Sequence, residues 1–129
     1  MKQVEREYVA SARTPAAARS FVTNAIRELL DGAVPDGLYD DLALVVSELV
    51  TNAVRAGSPT VRVALAEEHS RVVVRVTDEA AGWPHERAAG ADDPGGRGLP
   101  LVSALSTNWG VQPRAGGKVV WAELAVPAD

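Results

Sequence analysis

The chain contains no cysteine, which excludes disulfides and thiolate-ligated metals. Aromatic residues make up only 5% of it, so a core has to come from aliphatic side chains. There is no run of Lys or Arg, and the formal charge is -4. A nucleic-acid binder normally carries a basic face that neutralises phosphates, so direct DNA or RNA binding is not expected. A mildly acidic surface is compatible instead with a basic protein partner. The longest purely apolar stretch, Leu42 to Val46, is far too short to cross a bilayer, and no membrane association is expected. Met1 to Ala10 carries alternating charges without an apolar h-region, so no signal peptide is expected and a cytoplasmic location is. The 129 residues suit one domain, expected to span 1–129 with a core of about 9–126.

What is present reads as ordered elements. Val4 to Ser11 alternates weakly, as a short edge strand would. Thr14-Pro15 reads as N-cap plus first helical residue, and Ala18, Val22, Ala25, Ile26 and Leu29 then share a face up to Asp31-Gly32. Asp36 can cap a second helix running to about Gly57, with Leu42, Val46, Leu49 and Ala53 as its core stripe. Val61, Val63 and Leu65 form one strand. The turn Glu67-Glu68-His69-Ser70 leads into another, Arg71 to Asp78, where Val72, Val74 and Val76 share a face. Residues 79–98 hold five glycines, two prolines and many alanines, the composition of a long functional or disordered loop. A third helix covers about Leu99 to Ser106, and a hairpin pairs Trp109 to Val111 with Val119 to Val126 across Ala115-Gly116-Gly117. This order predicts an α+β fold: a two-layer sandwich with three helices on one face of a mixed, mainly antiparallel sheet.

Three places can carry chemistry. Asp41, Glu48, Asn52 and Arg55 recur at helical spacing along one edge of the second helix, with Glu48 and Asn52 one turn apart in an apolar run. Such groups are costly to bury without partners. They form either a solvated helix edge with a Glu–Arg pair, or a pocket. In the pocket, Asn52 offers a hard oxygen to Mg²⁺ and Glu48 orients a water or accepts a proton. Asp78 has the parity of the buried valines, so its carboxylate either points inward, where a purine amino group would suit it, or begins a turn. Gly95-Gly96-Arg97-Gly98-Leu99-Pro100 precedes an apolar helix. It is either a flexible joint or a phosphate cradle in which backbone N–H groups and the Arg97 fork meet anionic oxygens. It is not a Walker loop, since no Gly-Lys-Ser/Thr follows. His69 and His85 lack zinc-ligand spacing, the three tryptophans read as core or rim, and no Gly-x-Ser-x-Gly elbow exists.

The order of these segments is more specific than any one of them. Glu48 to Ala53, then Asp78 through Gly82, then Gly96-Arg97-Gly98-Leu99 resemble the N, G1 and G2 boxes of the ATPase fold shared by histidine kinases, gyrase B, MutL and the ninety-kilodalton heat-shock chaperone (the GHKL superfamily). Within that superfamily the chain most resembles the stand-alone actinobacterial anti-sigma factors that act as serine kinases, over about Val9 to Val126.

The resemblance implies ATP between the second helix and a lid at about 79–98. Asn52 would ligate Mg²⁺, Glu48 would be the general base, and Asp78 would bind the adenine amino group. Gly96, Arg97 and Gly98 would hold phosphates, with Arg55, Gly82 and Leu99 completing the nucleotide site. It also implies a sigma factor and an anti-anti-sigma (STAS-type) protein as partners, the latter phosphorylated on serine. Relatives are often dimers, although no interface signature stands out in this sequence. The alternatives are a non-catalytic partner-binding module with weak or lost ATP binding, and a histidine kinase's catalytic module acting in trans. The last is disfavoured by the lack of a helical hairpin with a phosphoacceptor histidine. Two departures bear on the choice. The G1 box usually reads Asp-x-Gly-x-Gly, and here Ala80 takes the middle glycine's place. Where relatives often carry a threonine near the start of the last strand, this chain has Lys118-Val119-Val120. Both changes are expected to weaken adenine binding and to leave the phosphate and metal half intact.

Overall fold

The computed structural model describes residues 2–80 and 98–127. Within them the chain runs β1 (Lys2–Val9), α1 (Thr14–Leu29), α2 (Asp36–Arg55), β2 (Thr60–Glu68), β3 (Arg71–Asp78), α3 (Gly98–Leu105), β4 (Asn108–Arg114) and β5 (Gly117–Ala125). The five strands form one sheet in the order β1-β2-β3-β5-β4. The expected mixed, mainly antiparallel sheet is antiparallel at all four pairings. β1 lies at an edge, as its weak alternation implies, and begins at Lys2, ahead of the expected core.

Period-2 alternation puts Val61, Val63, Leu65, Val72, Val74, Val76, Val120, Ala122 and Leu124 into one buried cluster with the apolar stripes of α1 and α2. All the residues expected on those two stripes are buried there, from Ala18 to Leu29 and from Leu42 to Ala53. The helices thus form one layer and the sheet the other, and Val102 of α3 joins the same core. Burying this aliphatic surface is the main stabilising contribution, worth roughly 25 cal/mol per Å² removed from water.

The ends of the elements differ in detail from the pattern reading. Arg13, not Thr14, stands at the N-cap of α1. The Thr14 hydroxyl turns back to donate to the Val9 carbonyl and accepts from the Ser11 N–H, tying the helix start to the end of β1. Pro35 precedes α2 without a side-chain cap, and Asp36 falls in the first turn, where its charge suits the helix dipole. The left-handed residue after α1 is Asp31, at φ 50°, rather than Gly32.

Both hairpin turns are tighter than their composition suggests. His69 and Ser70, at φ 50° and 64°, make the whole β2–β3 turn, so Glu67 and Glu68 belong to the strand. Ala115 and Gly116 make the β4–β5 turn, and Gly117 opens β5. β4 runs on through Pro113, which is tolerated because that strand is an edge.

Candidate functional site

The second helix and the third strand end at the same place. Ser58, buried just beyond α2, accepts a hydrogen bond from the Glu79 N–H at 2.9 Å and donates to the Thr60 carbonyl. One turn before the end of α2, Asn52 is buried inside the helix layer, and its amide Nδ2 has no hydrogen-bond partner among the described residues. Glu48 lies half-buried one turn earlier on the same edge. Arg55 is exposed in the last turn, where a cation complements the helix dipole. Asp41, two turns before Glu48, lines a different recess with Leu38, Leu105 and Leu124.

Asp78 continues β3 rather than beginning a turn. It stands opposite Val61 on one side and Lys118 on the other, and its parity puts it on the helix side of the sheet. The side chains of Asp78 and Lys118 are 2% and 4% exposed, and Lys118 Nζ lies 3.0 Å from Asp78 Oδ1. The Ala80 N–H donates to the same oxygen at 2.9 Å, and Nζ also reaches the Ala80 carbonyl at 3.5 Å. The charge on Asp78 therefore has a full internal partner, as a buried carboxylate requires.

Gly117 makes that approach possible. A Cβ at this position would lie 1.9 Å from the Asp78 carbonyl oxygen and 2.8 Å from Glu79 Cα. Ala80 is buried beside the pair, so the methyl group that replaces the expected glycine is packed into this end of the molecule.

A cavity of about 420 Å³ is lined by Asp78 and Glu79 together with Glu7, Arg62, Thr77 and Arg114. Glu7, Arg62 and Thr77 have the opposite strand parity to Asp78, so this cavity belongs to the far face of the sheet. Neither Glu48 nor Asn52 lines it. The chemistry-bearing side chains lie on the helix side.

Gly98 and Leu99 open α3, as expected for residues at a helix N-terminus. Gly82, Gly96 and Arg97, and all of the expected lid except Glu79, Ala80 and Gly98, lie outside the described residues. Among the described residues no cluster of His, Asp and Glu is placed to hold a metal ion. An Mg²⁺ site would rest on Asn52 and on the ligand's own oxygens, which suits that metal's preference for few protein ligands. No helix of the described residues is long and apolar enough to cross a membrane.

Glu48, Asn52 and Asp78 carry visible signals in the sequence; two residues that contact this end of the molecule, Lys118 and Ser58, do not. Lys118 was noted only as a departure, although two facing inward positions at the ends of β3 and β5 place opposite charges together. The Ser58 hydroxyl is the clasp between α2 and β3.

Comparison with known proteins agrees with this geometry. The family described as "Histidine kinase-like ATPase domain" matches residues 9–124. Among solved structures, the RsbU and RsbW domains of Rv1364c from Mycobacterium tuberculosis superpose with a TM-score of 0.75 at 18% identity, covering 100% of this chain and 34% of that one. The blue-light activated histidine kinase of Erythrobacter litoralis EL346 gives a TM-score of 0.58 at 22% identity, over 83% of this chain and 43% of that one. Its separate histidine kinase domain gives 0.58 at 20% identity, over 87% of this chain and 61% of that one. The chain thus spans about a third to three-fifths of the length of these solved relatives. No curated protein gives a significant match. With a family match across nearly its whole length and the two-layer arrangement to go with it, the chain belongs to the histidine kinase-like ATPase domain family.

Proposed function

We propose that this protein is a nucleotide-dependent regulator of the anti-sigma type, one domain over residues 1–129, that captures a sigma factor and answers to an anti-anti-sigma partner of the STAS type. The observation that carries the reading is Asn52: a buried amide with an unpartnered nitrogen, one turn from the half-buried acid Glu48, in a chain of this family. A native fold rarely leaves such a group unsatisfied unless a ligand or water completes it. The RsbW domain named in the solved Mycobacterium tuberculosis structure gives the anti-sigma reading its support through fold.

In this reading Asn52 would hold Mg²⁺ through its amide oxygen and donate from its nitrogen to the ligand, and Arg55 would add positive charge at the end of α2. Main-chain N–H groups at Gly98 and Leu99, with Gly82, Gly96 and Arg97 before them, complete the phosphate cradle. Bound Mg-ATP would supply the transferable phosphoryl group. Glu48 takes the proton from the attacking serine hydroxyl, and positioning and electrostatics supply most of the remaining rate. A cytoplasmic location and a homodimer go with this reading.

The base end fits ATP less well. One oxygen of the carboxylate that would meet an adenine amino group, Asp78 Oδ1, is already bonded to Lys118 and to the Ala80 N–H. That observation favours the second reading, a partner-binding module in which nucleotide binding is weak or lost and no phosphoryl transfer occurs.

Calorimetry separates the two. The regulator reading expects Mg-ATP to bind in the micromolar range, roughly -8 kcal/mol. Asn52→Ala should remove the metal-dependent part, and an unchanged affinity would count against the site. Glu48→Ala should bind Mg-ATP normally yet fail to phosphorylate its partner, and equal transfer rates would end the general-base role. Capture of partners from the native cell with and without Mg-ATP, followed by phosphosite mapping, would name the partners and the acceptor serine.

A further inference from the structure

The inner, helix-facing ends of β3 and β5 carry two opposite charges that face each other in register, Asp78 and Lys118. Both are buried, and the ammonium contacts two of the groups that could accept from a ligand there: Asp78 Oδ1 at 3.0 Å and the Ala80 carbonyl at 3.5 Å. An ammonium has donors only. A purine exocyclic amino group is also a donor, so at this end of the fold donor would meet donor. The neutral amine would have to displace a charge-assisted bond, which is the stronger of the two. Displacement would also leave a buried lysine without its counter-ion.

The backbone holds the pair in place. Gly117 lets β5 begin in contact with the Asp78 main chain, at a separation that excludes even a methyl group. Ser58 fixes the next residue, Glu79, to the end of α2. The lysine therefore stands on a strand start clamped to the carboxylate it neutralises.

From this we infer that Lys118 is a specificity-determining residue: its ammonium takes the place of the purine amino group on Asp78, so the domain holds nucleotides by their phosphates without preference for adenine. The inference rests on the nucleotide-site reading above and deepens it. It assigns the loss of base recognition to one side chain, Lys118.

The test titrates Mg-ATP and Mg-GTP into the full chain and into Lys118→Thr, which frees Asp78 Oδ1 from its ammonium partner. The wild type should bind the two nucleotides within about threefold of each other, and Lys118→Thr should gain at least about tenfold preference for ATP. A wild type that already prefers ATP by tenfold, or a variant that gains no preference, overturns the inference. Mg-bound inorganic triphosphate on the wild type tells the two failures apart. If Mg-ATP binds and triphosphate does not, the phosphate-site reading fails while the ATP-to-GTP ratio still reports on Lys118; if none of the three binds, both readings fall.

Should Lys118→Thr not fold, amine acylation of the wild type decides. Lys2 and Lys118 are the chain's only lysines, and Lys2 is exposed, bonded to Asp31 at the surface. Mass spectrometry should find Lys2 acylated and Lys118 protected by about a hundredfold or more. Equal labelling would mean that the pair does not persist, and the inference falls.

Discussion

Asn52 and Asp78 are both polar, both buried and both at the end of the molecule where α2 meets β3, yet they are left in opposite conditions. Asp78 has its charge matched by Lys118 and a second bond from the Ala80 N–H. Asn52 keeps an amide nitrogen with no partner among the described residues. An unsatisfied buried donor costs about 1–3 kcal/mol. A matched ion pair is different: once formed, it resists any ligand that would separate it. The difference teaches that two buried polar groups near one end of a fold can be left in opposite states, one matched from within and one not.

The comparison can be broken at either end. The largest effect is expected at Lys118: Lys118→Ala leaves a buried carboxylate without its counter-charge and should cost about 3–5 kcal/mol in urea unfolding. Replacing both partners, as Asp78→Leu with Lys118→Met, should recover most of that loss, because the desolvation cost disappears with the charges. A double variant no more stable than Lys118→Ala would mean that the pair is not the source of the effect.

Gly117→Ala comes next. Its methyl would collide with main chain rather than with a side chain that can turn away, so a loss of about 3 kcal/mol is expected. Wild-type stability would show that β5 can move off Asp78, and would sharpen where the clamp lies. Ser58→Ala, which leaves the Glu79 N–H without its acceptor, should cost about 1–2 kcal/mol.

The smallest change in stability belongs to Asn52. Asn52→Leu fills similar space without the unpartnered nitrogen and should be neutral or more stable by about 1 kcal/mol, while losing Mg-dependent binding of phosphates. Destabilisation by more than 2 kcal/mol would reveal a structural role and erase the contrast with Asp78.

Much of the architecture was legible because it rests on local periodicity. The stripes on α1 and α2 and the valine alternation in β2 and β3 depend on spacing alone, and they appear as written. Element ends were less legible. Thr14 and Asp36 have good capping chemistry, but neighbouring backbone decides which residue sits half outside the helix. The turns at His69-Ser70 and Ala115-Gly116 came out shorter because the strands pair to their last residues, a long-range gain that a local window does not contain.

The site divides in the same way. Glu48 and Asn52 were visible as one edge of a helix, and Asp78 as an inward strand position. The bond between Asp78 and Lys118 depends on strand order across 40 residues of sequence, which spacing does not encode. Gly82, Gly96 and Arg97 rest on motif order alone, outside the described residues.

The central claim is that the phosphate and metal end accepts ligand while the base end is already filled by Lys118. Calorimetric titration of the wild-type protein with Mg-ATP and with Mg-bound inorganic triphosphate tests it most directly. The account predicts affinities within about threefold of each other, because Lys118 already stands where the adenine amino group would meet Asp78. Binding of Mg-ATP tenfold or more tighter than triphosphate would contradict it.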